Sequence, residues 1–438
     1  MVSKSTVRRR IAFYDGIVFE ERIHLTERIM TRFGKTRSCR PGLALVAAII
    51  IILIPIWSLP QSERRSSEEP PSFASLSTQA AAALDADKLD EAIPLFRKAL
   101  AINPRWTEGW WSLGTAYYDQ DRYAEAAIAL QKVVALNPKH GTAHAMLGLC
   151  EFEMGEDANA LRDIEASKNL GTNIDPQLRD VVFYHEGVLL QRAGRFVAAQ
   201  KALSSLCLGG TRSPEVISAF GMAALQMRDK DIPTPGSESA QVVEQVGRAA
   251  CLAARKDFDG SRREFTAAVE KYPHFPYVHY AFGRELTEVH EIEAAVAQFK
   301  GELAEGHDRI LPLLQIAAAE YRVDSRSGLP YAQQAVSLAP QMAFSHFLLG
   351  LLLMDTGEYE KAIPELEAAS KGMGYESRVF WSLAAAYGHV GRAQDAAHAR
   401  AEFGRLRDKA AASQDSAQGE SPDVPVNVSD ESGTAPIH

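Results

Sequence analysis

TEGWWSLGTAYYDQDRYAEAAIALQKVVALNPKH, residues 107–140, decides the fold. Trp110, Leu113, Gly114 and Tyr117 lie at helical spacing and therefore share one face of a first helix. Gly114 has no side chain, so a second helix can approach closely there. The polar stretch 119–122 supplies the turn, and Tyr123, Ala126, Leu130 and Val133 form the inner face of the second helix, which Pro138 ends.

The same pattern recurs on either side at an interval of 34 residues. Ala92, Ala126 and Ala160 keep step, as do Pro104 with Pro138, Gly114 with Gly148, and Phe96, Leu130 and Ile164. It returns near the C-terminus in Gly350 and Ala384, Gly357 and Gly391, and Ala362 and Ala396. A fixed period of this length means one helix-turn-helix unit stacked many times, each burying its face against its neighbours. The pattern resembles the tetratricopeptide repeat family, with Leu130 where the family signature has Phe. The resemblance implies an all-α solenoid of about eight to nine repeats over 73–410, irregular at 211–262, where a loop at 229–239 carrying Pro233, Pro235 and Gly236 breaks the period. Units near 274–307 and 308–340 fit the signature poorly. The helix from Ala393 to about Lys409 is polar, as a capping helix would be.

The N-terminus has another character. Residues 43–59 are uncharged and rich in Leu, Ile and Val. As a helix they would rise about 26 Å, slightly short of a hydrocarbon core of ~30 Å. Insertion is favoured by roughly 5 kcal/mol, less whatever Pro55 costs. Ten Lys or Arg in residues 1–40 stand against four acids. The expected organisation is a basic cytoplasmic segment at 1–41, a transmembrane helix at 42–59, a linker at 60–72, the repeats at 73–410 on the extracytoplasmic side, and a disordered acidic tail at 411–438. A cleaved signal peptide is the alternative, although residues 58–61 make a poor cleavage site.

Charge divides at the same boundary. The chain carries −9 in all and residues 1–40 contribute +6, which leaves about −15 beyond them. An acidic repeat region without a basic stripe argues against nucleic acid as its ligand. Of the four cysteines, Cys39 precedes the apolar stretch and Cys150 falls inside a first helix. Cys207 and Cys251 could pair across the irregular middle, but spacing leaves that open. His140 and His144 are four apart but straddle a turn without a third ligand, and His274, His279 and His290 form no HExxH arrangement. No nucleophile elbow, phosphate-cradling loop or dinucleotide fingerprint is present. The expectation is a protein that is not an enzyme and needs no metal, cofactor or small-molecule substrate.

In the tetratricopeptide family the first helix of each repeat lines a concave groove. Carried onto this chain, the resemblance implies a protein-binding groove made of Trp111, Thr115, Tyr118, Leu149, Phe152, Tyr184, His185, Phe344, Phe347, Met354 and Trp381, with Ala145, Gln191 and Leu351 at equivalent positions. Such a surface suits partner proteins or peptides with apolar segments, with Trp and Tyr as anchors. The carboxylate clamp of some relatives needs Lys, Arg and Asn where this chain has Trp111, Ser112 and Thr115, so it is not expected here. The sequence thus points to a membrane-anchored interaction scaffold. The alternative is an envelope assembly factor or holdase-like chaperone for secreted or membrane proteins.

Overall fold

The computed structural model describes residues 72–414 except 171–175, 211–212, 229–230, 308 and 322. The expected basic segment, the apolar stretch at 42–59, the linker before residue 72 and the tail beyond residue 414 lie outside the described residues. No helix among the described residues is long and apolar enough to cross a membrane. These residues form nineteen helices and no strand, divided between two compact units, 1–179 and 180–438.

The first unit contains three helix pairs: α1 (Phe73–Asp85) with α2 (Leu89–Ile102), α3 (Thr107–Asp119) with α4 (Tyr123–Leu136), and α5 (Gly141–Glu153) with α6 (Asp157–Asn169). Ser72 opens the series, its hydroxyl accepting a hydrogen bond from the Ser75 N–H. Within each pair the small residue expected at the crossing is required by geometry. A Cβ on Gly114 would lie 2.9 Å from Leu130 Cγ, and one on Gly148 would lie 2.8 Å from Ile164 Cγ1. Ala92, Ala126 and Ala160 are fully buried on the second helices, as are Leu130 and Ile164. Burying a side chain of that size contributes about 1.5–3 kcal/mol.

The second unit comprises most of α7 (Pro176–Arg192), then α8 (Phe196–Leu208), α9 (Pro214–Ala224), α10 (Glu238–Ala254) and α11 (Phe258–Lys271). It continues with α12 (Val278–Glu288), α13 (Ile292–Glu305), α14 (Ile310–Tyr321), α15 (Ser325–Leu338), α16 (Ala343–Asp355), α17 (Tyr359–Gly372), α18 (Ser377–His389) and α19 (Ala393–Gln414). The last helix runs to Gln414, a little beyond the expected end of the repeats.

The pair α12–α13 obeys the crossing rule fully, since a Cβ on Gly283 would lie 2.6 Å from Phe299 Cε1. The repeat near 274–307, expected to fit the signature poorly, thus keeps the crossing residues of the signature. Gly283, Ala295 and Phe299 carry the same spacing as Gly114, Ala126 and Leu130. In α14–α15 the bulk is exchanged across the crossing. Ile316 stands at the register position that Gly114 holds in its own repeat, Ala332 stands where Leu130 does, and both are fully buried. Total volume is kept while the recognisable pattern disappears.

The turn between paired helices is also repeated. The residue two before the second helix has positive φ at Asp87, Asp121, Gly155, Gly194, Lys256, His290, Gly357 and Gly391. Glycine adopts this left-handed conformation without strain, whereas Lys256 and His290 do so at a cost.

The irregular middle has a specific cause. α9 lies in the register of a first helix, with Gly221 at the crossing position. Its partner is the seventeen-residue α10, which packs nearly as closely against α11. One helix thus closes one repeat and opens the next. Gly221 and Gly247 face each other across the α9–α10 crossing, where a Cβ on either would collide with the carbonyl of Val243 or Ile217. Cys207 on α8 and Cys251 on α10 form a disulfide, Cα–Cα 5.3 Å, spanning the whole of α9.

Candidate functional site

The expected groove residues must be taken unit by unit. In the first unit, Trp111 and Tyr118 lie two turns apart on α3 and are half-buried, as is Phe152 on α5. Trp111 stacks on the His140 imidazole, ring centroids 5.3 Å apart, and Tyr118 meets Tyr123 edge-on at 5.5 Å. Thr115 and Leu149, by contrast, are buried, and the Thr115 hydroxyl donates to main-chain carbonyls of its own helix. They serve packing and present nothing to a partner.

In the second unit Trp381 on α18 is 59% exposed, the most open of the expected set. Tyr184, Phe344 and Met354 are half-buried. Phe347 is buried in the core shared by α14 to α19. His185 is buried with Nδ1 2.7 Å from the Val181 carbonyl oxygen, and loss of solvent pushes its pKa down to about 4. It is a neutral core histidine at physiological pH. Seven of the eleven expected residues thus keep solvent-accessible surface, and Thr115, Leu149, His185 and Phe347 do not.

Other polar groups prove to be part of the repeat framework. Trp110 donates its indole N–H to the Pro104 carbonyl at 2.9 Å. At the equivalent place in later repeats stand His144 and His346. His144 Nε2 lies 3.2 Å from the Pro138 carbonyl and Nδ1 2.8 Å from Asp163. His346 Nε2 lies 3.0 Å from the Pro340 carbonyl and Nδ1 2.6 Å from Glu365. Each His ties the start of its first helix to the preceding proline turn and to the second helix. The sequence signal was a His in the signature Trp position with an acid nineteen residues on. His140 is likewise engaged, its Nδ1 accepting from the Ala143 N–H. No group of three or more His, Cys, Asp or Glu among the described residues could hold a metal ion.

Behind His144 sits a buried acidic pair. Glu151 occupies the place that Tyr117 holds in the preceding repeat and is 2% exposed. Burial, and then the neighbouring Asp163, push its carboxyl up to about 7, with Arg162 opposing from 3.8 Å. Cys150 beside it is buried, which raises its thiol to about 12 and leaves it unreactive.

The first unit also has a cleft on a different side from Trp111 and Tyr118. Of 590 Å³, it is lined by Arg97, Trp110, Tyr117, Arg122 and the exposed Ile128 among others. Trp110 and Tyr117, assigned from the signature to packing alone, also face this opening.

Tetratricopeptide-repeat family models match residues 83–150 and 313–375, less than half of the chain. No curated protein matches. Among solved structures the chain is similar to the one entitled crystal structure of MamA protein, at 18% identity over 46% of this chain and 91% of that one, TM-score 0.33. It is similar to yeast Tom70 at 13% identity over 78% and 84%, TM-score 0.34, and to the Cut9–Hcn1 hetero-tetramer of the APC/C at 12% over 76% and 87%, TM-score 0.32. At such scores these likenesses carry no argument about function. The helix pairs α3–α4 and α16–α17 and the crossing glycines Gly114, Gly148 and Gly350 fall within the segments 83–150 and 313–375 that match the tetratricopeptide-repeat models.

Proposed function

We propose that this protein is a membrane-anchored interaction scaffold, held by residues 42–59, whose repeats lie outside the cytoplasmic membrane and bind partner proteins through apolar segments. The observation that carries the binding half is the placement of Trp111, Tyr118 and Phe152. Trp111 and Tyr118 stand two turns apart on α3, Phe152 holds on α5 the register position of Tyr118, and all three keep accessible surface. Aromatics of this kind anchor peptide segments by apolar contact while their polar tips stay hydrated. The buried Cys207–Cys251 disulfide supports the topology, because such bonds persist in oxidising compartments. An assembly factor or holdase for envelope proteins is the second reading, which the same aromatics would serve.

Affinity capture of the full-length protein from its native membrane, read by mass spectrometry, tests the proposal against a Trp111→Ala, Tyr118→Ala, Phe152→Ala variant. The expected result is one stoichiometric partner that the variant loses while its circular dichroism stays helical. Many substoichiometric clients, all lost together, would favour the holdase. Capture unchanged by the substitutions would overturn the groove. Membrane-impermeant labelling of a cysteine introduced at exposed Tyr375, in sealed cells, tests the topology. Labelling only after permeabilisation would overturn it.

A further inference from the structure

A cleft of 470 Å³ opens in the second unit among α8, α9, α10, α11 and α12, where the shared helix disturbs the stacking. Its volume falls in the range of small-molecule sites. Phe220, Ala250, Phe265 and Ala281 make its walls apolar, and Phe258, 47% exposed, stands among them.

Three cations also line it: Lys201 from α8, Lys256 from the turn before α11, and Arg284 from α12. None makes an ion pair among the described residues. Arg284 is the sharpest case, since its Nη1 is shielded from water and has no hydrogen-bond partner. A charged donor left unbonded costs free energy that an arriving acceptor returns.

Two carboxylates face the same space, Glu285 and Glu288 on α12. Burial, reinforced by Glu288 and opposed by Arg284, pushes the Glu285 carboxyl up to about 7. Near neutrality it is therefore partly protonated and can donate to an anion, so cationic charge predominates in the cleft.

We propose that this cleft binds a small monocarboxylate with an apolar body, the carboxylate on the Arg284 guanidinium and the body against the exposed Phe258. Lys201 and Lys256 add to the field that holds the anion. The site is separate from the aromatics of the first unit, so it stands or falls independently of the groove.

Isothermal titration of the full chain in detergent with 3-phenylpropionate tests this, alongside octanoate, the neutral 3-phenylpropanol and a peptide ending in a free phenylalanine carboxylate. The expected result is saturable binding of one acid per chain, at least ten-fold tighter than the alcohol. Arg284→Met is expected to abolish it while leaving the melting temperature unchanged or raised, because the orphaned donor is gone. A merely structural Arg284 would lower that temperature instead. Should Arg284→Met fail to fold, the exposed pair Lys201→Gln, Lys256→Gln reads the same point, with a several-fold loss and a weaker dependence on salt. No saturable binding of either acid, equal affinity for the alcohol, or binding unchanged in the variant that folds would each overturn the proposal. Tight binding of the peptide alone, with neither free acid bound, would overturn it in favour of a protein partner.

Discussion

Gly114 in the first unit and Gly221 in the second hold the same register position and face different neighbours. Gly114 makes room for a side chain, Leu130, which can adjust its rotamer. Gly221 makes room for a backbone, since the Val243 carbonyl lies where its Cβ would be and another glycine, Gly247, stands across the crossing. The first arrangement belongs to a repeat with two helices of its own. The second belongs to a repeat that borrows its second helix from its successor, and there the helices approach until main chains touch. The regular repeat is the more tolerant of change, because a side chain can yield where a carbonyl in a helix cannot.

The largest expected effect comes from cutting the staple across the borrowed helix. Cys207 and Cys251 are separated by 44 residues in sequence, and a closed loop of that size restricts the unfolded chain by roughly 4 kcal/mol. A Cys207→Ala, Cys251→Ala variant is expected to lose stability of about that size, with hydrogen exchange rising first in α8, α9 and α10. Exchange unchanged there would mean that the crossing is held by packing alone.

Gly221→Ala comes next, at about 3 kcal/mol, because two helices must separate to admit one methyl group. Gly114→Ala should cost about 1 kcal/mol, absorbed by Leu130. Urea denaturation of the two variants sharpens the comparison directly, and equal losses would break it.

The buried carboxyl of Glu151 gives a pH-dependent test in the regular unit. Its folded pKa, about 7, lies above the ordinary carboxylate value, so the folded state holds more protons than the unfolded between about 4.5 and 7. Its contribution is therefore present at pH 4.5 and is lost as pH rises through 7. Glu151→Gln is expected to be more stable than the parent by about 1 kcal/mol at pH 8, the two converging near pH 5. Thermal melts across that range check it, and a constant difference would contradict the assignment.

The smallest effect belongs to the turns. His290→Gly relieves a left-handed backbone at φ 63° and should add about 0.5 kcal/mol, whereas the same exchange in a helix interior would subtract as much or more.

Much of this was legible beforehand. The interval between Ala92, Ala126 and Ala160 implied stacked helix pairs, and Gly114 with Leu130 implied their crossing. Trp111, Tyr118, Phe152 and Trp381 keep the accessible surface that the family resemblance implied. Thr115, Leu149, His185 and Phe347 lie at equivalent positions and are buried, because register places a residue on a face without saying how closely the next helix covers it. Gly283, Ala295 and Phe299 were readable and missed, since weak matches elsewhere in that repeat hid them.

By itself, then, the sequence determined the helix pairs, their period and the small residue at the crossing wherever the period holds, because these follow from local spacing and volume. It likewise marked residues 42–59 as the one long uncharged apolar stretch. Only the tertiary structure decided that α10 serves two repeats, that Cys207 meets Cys251 across α9, and that Lys201, Lys256 and Arg284 share a cleft. Each of those depends on contacts between residues tens of positions apart around an insertion that breaks the period. A repeat predicts its neighbours only while the period holds.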